Sequence, residues 1–565
     1  MVNYLYIFLS LLALGFSQQS VIVELPHGKI QGKQSLTFNN KTFYSFVKVP
    51  YASPPVGELR FKAPVPPKAW EGNLDATSNR VVCHQIDQDL PLESEDCLYL
   101  NIYTPQLPTT NLVEALPVLF YIHGGGFIVG TCLESTCGPD FLIEYDVVVV
   151  TINYRLGAFG FLSTQDEIIP GNNGLKDQHL GIKWTHDNIK LFGGDPNRIT
   201  IVGQSAGAAS VAYQFLNKKS EGLFWGAISQ SGSFLSPWSL QRKARKIAFQ
   251  TAAFINETFK TSNDSQELYE FLLSVSADEL DKAAFQVNQL ENLENRQINQ
   301  GFFYAPVLES EHEDAFITRK MYGDLKSGNF VKVPIMIGIT SEESAEDAAD
   351  LNVLKSNMRV YDENLSWLVP DDLNIEDEEK KLMVGALIRG FYTNSKFEEN
   401  LAAGIRYFSD NSFTRSVIKH AQLQSKFTDV YFYQFSYDGI IGNISIEFEA
   451  NDKVTHSEDL RYMWRIVFGD YDNTNVEQFP EFDVLTHRRM LTLWTNFAKT
   501  LNPSPNNNEL LQNIRWPTVS SGRPKEFWYL DINKDLTIRS YPKIASYLGW
   551  NMVYDIFGEG QFDTY

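Results

Sequence analysis

The chain of 565 residues carries 48 Lys plus Arg against 69 Asp plus Glu, which gives a formal net charge of -21 at pH 7. A surface this acidic repels nucleic-acid backbones and anionic lipid headgroups, so neither nucleic-acid binding nor docking on a membrane through basic residues is expected. Its 43% hydrophobic and 13% aromatic residues are ample for a large packed core, which excludes an intrinsically disordered chain.

The chain begins with an apolar run, residues 4–14, that is followed by the small residues Gly15 and Ser17. The run is too short to span a bilayer and is typical of a cleaved secretory signal peptide, although no Lys or Arg precedes it. No later stretch reaches about 18 uninterrupted apolar residues, the length that a membrane span needs. We therefore expect residues 1–17 to be a signal peptide and the mature protein to be secreted without a membrane anchor.

Glycosylation acceptor sequences and paired cysteines agree with export. The four cysteines allow three connectivities, of which the local pairing is the most economical, with free thiols as the alternative for the second pair. Neither pair has the ligand spacing of a zinc site, and no metal or organic cofactor is expected. The two pairs are Cys83 with Cys97 and Cys132 with Cys137, and the acceptor asparagines are Asn40, Asn256, Asn263, Asn364 and Asn443.

Short apolar runs that end in glycine or polar residues predict the strands of a buried sheet. The clearest are Leu116–Ile122, the β-branched run Val147–Ile152 and Ile199–Val202. A helical pattern lies over Leu175–Leu191, between the second and third of these runs. Alternation of strand, turn and helix predicts an α/β fold with a mostly parallel sheet that has helices on both faces.

Two segments, Ala244–Tyr322 and Ala345–Lys426, shift to a charged, helical composition. Buried-strand candidates resume after the first segment at Val333–Ile339 and after the second at Val430–Phe435. Because the sheet continues after each helical segment, we predict one domain, residues 18–565, with helical cap insertions.

The motif Gly203-Gln-Ser-Ala-Gly207 follows a predicted strand and precedes a helix rich in small residues. This context is required of a nucleophile elbow, in which a strained turn lifts the Ser205 hydroxyl above the sheet. A glycine-rich structural turn is the alternative for this motif alone. His123-Gly-Gly-Gly-Phe127 lies at the end of an earlier strand, where glycine amides are able to face a developing oxyanion. We expect the N–H groups of Gly125, Gly126 and Ala206 to form that oxyanion hole.

A serine nucleophile needs a base, and in this arrangement the acid and the histidine follow the serine in the chain. His456 lies in a polar loop after the strand at Val430, whereas His420 and His487 lie in helical stretches and are expected on helix surfaces. His312 precedes the proposed acid and is excluded by the order. The acid should follow a strand, and Glu343, four residues past Ile339, is best placed. Glu342 is its rival by spacing alone.

The sequence resembles the type-B carboxylesterase and cholinesterase family over nearly all of the mature chain. The resemblance rests on the elbow, the glycine turn and four further motifs: Glu95-Asp-Cys-Leu-Tyr-Leu-Asn101, Asn153-Tyr-Arg-Leu-Gly157, Phe192-Gly-Gly-Asp-Pro196 and Gln230-Ser-Gly-Ser233. It implies an α/β-hydrolase fold and hydrolysis of small carboxylic esters. It assigns Ser205 as the nucleophile, Glu343 rather than Glu342 as the acid and His456 as the base. It further implies a Cys83–Cys97 disulfide, an Arg60–Glu95 ion pair, and Trp238 against the acyl group.

The chain departs from the family pattern at several positions. Lys453 and Ser344 replace glycines that usually lie near the histidine and the acid, so the geometry of both loops is an open question. The loop between Cys83 and Cys97 lacks the cation-binding tryptophan of cholinesterases, and Gln204 stands where they have glutamate. A quaternary ammonium would therefore lose its main aromatic face and a nearby anion, which argues against a cholinesterase.

The elbow resembles that of insect juvenile-hormone esterases, which makes this activity the main alternative within the enzyme class. Non-catalytic adhesion proteins of the family are disfavoured, because they commonly lose triad residues and carry a transmembrane stalk. The natural ester and the oligomeric state are not determined by the sequence.

Overall fold

The computed structural model describes residues 20–86, 92–108, 114–292, 301–448, 450–520, 526–558 and 562–565. The predicted signal peptide, residues 1–17, lies outside these described residues. The strands of the described chain are β1 Ser20–Leu25, β2 Gly28–Leu36, β3 Thr42–Pro50, β4 Asn73–Asp75, β5 Tyr99–Thr104, β6 Leu116–Ile122, β7 Val148–Ile152, β8 Gly194–Gln204, β9 Gly226–Gln230, β10 Ile335–Thr340, β11 Val430–Phe435, β12 Val467–Phe468, β13 Tyr471–Asp472, β14 Trp528–Ile532 and β15 Leu536–Ser540.

In the described residues one 13-stranded sheet dominates the fold, with the strand order β1-β2-β3-β5-β7-β6-β8-β9-β10-β11-β14-β15 and β4 paired to β2. The seven neighbouring strands from β7 to β14 are parallel, and the strands on both flanks pair antiparallel except β4, which is parallel to β2. The mostly parallel central sheet predicted from the sequence is confirmed. Because parallel strands share one direction, the loops after β8, β10 and β11 leave the sheet at the same edge.

The α-helices surround this sheet. They are α1 Asp140–Ile143, α2 Gly157–Phe161, α3 Asn173–Asn188, α4 Ala206–Leu216, α5 Ala244–Ile255, α6 Ser265–Ser274, α7 Ala277–Asn292, α8 Met321–Ser327, α9 Leu351–Glu363, α10 Glu378–Gly390, α11 Leu401–Ser409, α12 Arg415–Gln424, α13 Glu481–Thr500 and α14 Ile544–Phe557. A π-helical turn, Asp410–Thr414, joins α11 to α12. None of the helices among the described residues is long and apolar enough to cross a membrane.

Both faces of the central strands are apolar. On β6, Val118 and Phe120 belong to the larger buried cluster, which includes residues of α3 and α4. Leu119 and Tyr121 belong to a second cluster, which includes residues of α13. Successive side chains of a strand point to opposite faces, so a strand covered by helices on both sides has no polar face. This is why the central strands read as continuous apolar runs in the sequence.

The predicted element boundaries agree with the structure to within a few residues. The runs at 116–122 and 430–435 coincide with β6 and β11, and the predicted helix over 175–191 is α3. The run at 199–202 belongs to the longer β8, which begins at Gly194 because Gly194 also pairs with Leu116 of β6, ahead of a shift in register before Ile199. The first charged segment contains α5–α7 but is irregular over residues 301–320, so it is less helical than its composition indicates.

Both predicted disulfides are formed, Cys83–Cys97 and Cys132–Cys137. The Arg60–Glu95 ion pair is also present, and the Arg60 guanidinium further donates to the carbonyl oxygens of Leu272 (2.9 Å) and Val275 (2.7 Å). The guanidinium thus ties the first disulfide loop to the end of α6.

Candidate active site

Ser205 occupies a strained turn between β8 and α4. Its backbone dihedrals are φ 58° and ψ -124°, an unfavourable conformation for a residue with a side chain, and its N–H donates to the Gln230 carbonyl at 2.8 Å. A Cβ on Gly203 would lie 2.3 Å from the Gly207 carbonyl oxygen, and one on Gly207 would lie 2.1 Å from the Ile122 oxygen. Both glycines are therefore required for the close approach of strand and helix that presents the serine.

His456 and Glu343 meet in the loops that follow β11 and β10. The His456 Nδ1 atom lies 2.7 Å from Glu343 Oε2, and the buried carboxylate also accepts the Thr340 N–H through Oε1 at 2.9 Å. A main-chain hydrogen bond, His456 N–H to the Glu343 carbonyl at 3.1 Å, locks the two loops together. Glu342 instead accepts from Asn451 Nδ2 at 3.0 Å, so of the two candidate acids only Glu343 contacts the histidine.

The other edge of the His456 ring is also occupied. Its Nε2 atom lies 3.1 Å from Gln204 Nε2, and the same amide nitrogen donates to Ser457 Oγ at 2.7 Å. Among the hydrogen bonds of the described residues, none joins Ser205 Oγ to His456. The ring of Phe413, from the π-helical turn, is stacked on the imidazole with centroids 4.2 Å apart. Sequence reasoning identified neither contact, because Gln204 and Phe413 carry no local signal that points to His456.

The glycine turn after β6 presents unengaged amides. Gly125 has φ 104° and a Cβ there would lie 2.1 Å from the Val129 carbonyl oxygen, so no other residue fits. The N–H groups of Gly125 and Gly126 donate to no acceptor among the described residues. Ala206 is the first residue of α4, where helical N–H groups lack intrahelical acceptors. The oxyanion hole of Gly125, Gly126 and Ala206 stays a prediction.

Three other histidines, His123, His420 and His487, are packed in the interior of the fold. His123 is buried and stacked on Tyr154, and burial lowers the pKa of its imidazole to about 4. The expectation that His420 and His487 lie on helix surfaces is wrong, since both are buried, at 0% and 7% exposure. His420 bonds to Ser233 Oγ and Gln424 Oε1, both at 2.8 Å, and His487 Nδ1 lies 2.9 Å from the Tyr462 oxygen. Burial lowers the pKa of both imidazoles to about 4.

A cavity of about 610 Å³ reaches His456 and Glu343. Trp238, assigned to the acyl side by resemblance, is 1% exposed, lines this cavity, donates Nε1 to the Ser412 carbonyl at 2.7 Å and stacks on Phe302. The remaining lining residues, from the segment after Glu343 to the π-helical turn, include three acidic and three aromatic side chains among aliphatic and small polar ones: Ser344, Glu346, Asp347, Ala349, Asp350, Val353, Leu354, Asn357, Tyr361, Phe408 and Phe413. Burial, reinforced by the charge of Glu346, raises the pKa of Asp347 to about 6.

The two departures near the triad are accommodated. Ser344 adopts φ -104°, and Lys453 is not among the residues with positive φ, so neither position demands glycine. The open question about these loops is thereby answered, because their conformations suit ordinary side chains.

One cluster among the described residues has metal-ligating atoms within 4.8 Å of one another, formed by His84, Glu93 and Asp281. His84 Nδ1 lies 2.7 Å from Asp281 Oδ2, and none of the three lines the cavity at His456. Burial lowers the pKa of His84, but the hydrogen bond to Asp281 and the charges of Asp281, Glu93 and Glu95 together raise it, and the net shift is upward. The cluster thus joins the first disulfide loop to α7.

The predicted acceptor asparagines differ in accessibility. Asn40, Asn263 and Asn443 are exposed. Asn256 and Asn364 are half-buried, and the Asn364 amide nitrogen, the atom that would carry a glycan, donates to the Val360 carbonyl at 2.8 Å. Glycosylation at all five positions stays a prediction, and Asn364 is the least favourable of them.

Comparisons with known proteins agree with this architecture. The sequence profile described as the carboxylesterase family matches residues 19–548. A juvenile hormone esterase of Tribolium castaneum is 32% identical over 91% of this chain and 88% of its own length. Para-nitrobenzyl esterase of Bacillus subtilis is also 32% identical, over 92% of this chain and 96% of its own length.

Among solved structures, the juvenile hormone esterase of Manduca sexta with OTFP covalently attached superposes with a TM-score of 0.80 at 29% identity. The alignment covers 95% of this chain and all of that one. The α/β-hydrolase fold is thereby confirmed, and the protein belongs to the carboxylesterase family and is a carboxylic ester hydrolase.

Proposed function

We propose that the protein is a secreted serine esterase that hydrolyses small carboxylic esters through an acyl-enzyme at Ser205. The observation that carries the proposal is the Glu343–His456 contact of 2.7 Å, which lies at the same sheet edge as the strained Ser205 turn. A buried carboxylate at Nδ1 fixes the imidazole tautomer with its free lone pair on Nε2, as a general base requires.

In the proposed first step, Ser205 Oγ forms a bond to the ester carbonyl carbon while its proton passes to His456 Nε2. The carbonyl oxygen becomes negative and is held by the N–H groups of Gly125, Gly126 and Ala206. Glu343 stabilises the imidazolium without taking its proton. When the tetrahedral intermediate collapses, the carbon–oxygen bond to the alcohol breaks, and His456 returns the proton to the leaving oxygen.

In the second step, water attacks the acyl-enzyme and gives its proton to His456. The oxyanion forms in the same place, and on collapse the bond from the carbonyl carbon to Ser205 Oγ breaks, the carboxylic acid leaves, and His456 returns its proton to the serine oxygen. Trp238, Phe302 and Phe413 would exclude bulk water around the acyl group, since they line the cavity beside His456. All groups in this scheme are supplied by the chain itself.

Secretion is proposed on the apolar start of the sequence, the two disulfides and the exposed acceptor asparagines. The division into a signal peptide at 1–17 and one catalytic domain at 18–565 stays part of this proposal. Expression from the full-length sequence in insect cells, followed by amino-terminal sequencing of the medium fraction, tests both.

Hydrolysis of juvenile hormone is the second candidate. It is favoured by two similar proteins that are named juvenile hormone esterase and by Gln204 in the elbow. Competitive hydrolysis of juvenile hormone against simple aliphatic esters distinguishes a juvenile hormone esterase from a general carboxylesterase. If kcat/KM for juvenile hormone exceeds that for simple aliphatic esters by less than tenfold, the result would argue for a general esterase.

The catalytic assignment is tested with p-nitrophenyl acetate and an organophosphate. We expect Ser205→Ala to abolish turnover and covalent labelling while the circular dichroism spectrum is unchanged. Undiminished turnover in this variant would contradict the proposed nucleophile, and absence of turnover in the unaltered protein would favour a non-catalytic role.

A further inference from the structure

Gln204, the residue before the proposed nucleophile, is 3% exposed and directs its carboxamide at the proposed base. Its nitrogen contacts two atoms, Nε2 of His456 at 3.1 Å and Oγ of Ser457 at 2.7 Å. The proton positions follow from the network. Because Glu343 accepts from Nδ1 of His456, the neutral imidazole has its lone pair on Nε2, and the group facing that lone pair must be a donor.

We infer that Gln204 is a positioning residue that holds His456 as the neutral base in the resting enzyme. The inference rests on the proposed Ser205–His456–Glu343 triad. A hydrogen bond donated to Nε2 stabilises the neutral ring relative to the imidazolium, since the imidazolium carries a proton at that position. The Gln204 amide therefore keeps the base in its reactive form, and it competes with the Ser205 hydroxyl for one lone pair.

The reaction must then displace this donor. As Ser205 Oγ bonds to the carbonyl carbon, its proton moves to Nε2, and the Gln204 N–H releases the lone pair that takes the proton. Ser457 Oγ accepts from the same amide nitrogen and holds the carboxamide in this orientation, so its oxygen is not presented to the imidazolium N–H.

Several acidic side chains lie around His456, in addition to the neutral Gln204 amide. Glu343 contacts Nδ1, and Asp459, on the turn that follows the histidine, interacts electrostatically with the ring. Glu346 and Asp347 line the same cavity, and Asp410 begins the π-helical turn that carries Phe413. All of these stay in place when only Gln204 or Ser457 is altered, so a change in pH dependence is assigned to the altered side chain.

The test is the pH profile of kcat/KM for p-nitrophenyl acetate, whose acid limb reports protonation of the free enzyme's base. The Gln204→Glu variant has the same shape but places a carboxylate at Nε2, which favours the imidazolium. We expect the acid limb to move to higher pH by about 1 unit or more, as an opposite charge at this distance produces. Below the limb, activity is then about tenfold lower than that of the unaltered enzyme.

Two matched variants separate a positioning role from packing. Gln204→Met keeps the volume without any hydrogen bond, and Ser457→Ala removes the support of the amide. Both are expected to move the acid limb in the same direction by a smaller amount, with kcat reduced more than KM is raised. Organophosphate titration gives the concentration of competent sites, and circular dichroism establishes that each variant is folded.

An acid limb that is unchanged in Gln204→Met overturns the inference, even if activity falls uniformly at all pH values, because the carboxylate of Gln204→Glu moves the limb by its charge alone. The Ser205→Ala control keeps this outcome distinct from failure of the proposed function. If that control is inactive and the limb is unchanged, only the role of Gln204 is wrong. If that control hydrolyses the ester, the triad and the inference are both wrong.

Discussion

Phe413 lies face to face with His456, with ring centroids 4.2 Å apart and ring planes inclined by 26°. The stack comes from the π-helical turn between α11 and α12, and π-turns of this kind are frequent at functional sites. The same ring contacts Trp238, with centroids 5.7 Å apart. One aromatic side chain therefore joins the proposed base to the wall of the cavity.

We predict that Phe413→Ala lowers kcat/KM for short acyl esters about two- to tenfold, since an aromatic pair contributes about 0.5–1.5 kcal/mol beyond area burial. Without the stack, the imidazole is free to rotate away from the serine. Steady-state kinetics with p-nitrophenyl acetate and butyrate measure the effect. The matched control is Phe408→Ala, because Phe408 lines the same cavity but its ring contacts Tyr361 edge-on and lies tilted against Tyr407. Equal losses in both variants would contradict a role specific to the base.

The choice between the two adjacent acids gives a sharper prediction. Glu343 accepts two N–H groups, from Thr340 and from His456, and a carboxamide has only one acceptor oxygen. Glu343→Gln therefore presents an NH₂ group to one of these donors and disfavours the required tautomer. We expect kcat to fall by about 10³- to 10⁴-fold, as amide replacement of a triad acid does elsewhere.

Glu342→Gln is the internal control for that substitution. Its partner is Asn451, and an amide at position 342 still offers the oxygen that the Asn451 amide needs. We expect less than a threefold change in kcat, measured under the same conditions. The assignment of Glu343 as the triad acid is wrong if Glu342→Gln lowers kcat more than Glu343→Gln does.

The glycine turn predicts a contrast between neighbouring substitutions. In Gly125→Ala the new Cβ would overlap the Val129 carbonyl, so the turn must shift, and we expect kcat to fall about 10²- to 10³-fold, the loss typical of a damaged oxyanion hole. In Gly126→Ala the nearest atom to the Cβ is 3.6 Å away, in Phe302, and the cost is that of the positive φ, about 1–2 kcal/mol. We therefore expect kcat to fall less in Gly126→Ala than in Gly125→Ala. Measurement of kcat for both folded variants tests this contrast.

The buried acid Glu458 predicts a pH dependence of stability. It lies two residues after His456, is 1% exposed, and Oε2 accepts the Thr455 N–H at 3.0 Å. Burial raises the pKa of its carboxyl to about 8. The unfolded chain releases this proton near its ordinary value of about 4.3, so between that pH and about 8 the folded state binds the additional proton. The contribution of Glu458 to stability is therefore lost progressively as the pH rises over this range.

The Glu458→Gln variant removes this contribution. We expect its free energy of unfolding, relative to that of the unaltered protein, to increase by about 1 kcal/mol or more between pH 5 and pH 8. Denaturant unfolding at the two pH values measures the difference. The exposed Glu71→Gln is the control, for which no such change is expected. A constant difference between the proteins at both pH values would show that Glu458 ionises normally in the fold.

The sequence by itself determined the framework. Uniform apolar runs predicted strands covered on both faces, and β6 and β11 lie where these runs placed them. The elbow is predictable from sequence because local crowding in this turn leaves no room for a side chain at either glycine. Gly203 and Gly207 leave room for the backbone of their neighbours and for nothing else. Family resemblance, and not spacing, favoured Glu343 over Glu342.

Only the tertiary structure decided which side chains meet. Gln204 and His456 are 252 residues apart, and their contact depends on β8 and β11, which have two strands between them, ending at the same edge of the sheet. His420 and His487 were assigned to helix surfaces because their neighbours in sequence are polar, yet both helices are packed on more than one side. Local sequence reports backbone preference and average polarity. The partner of a side chain is fixed by long-range packing, and packing is a property of the whole fold.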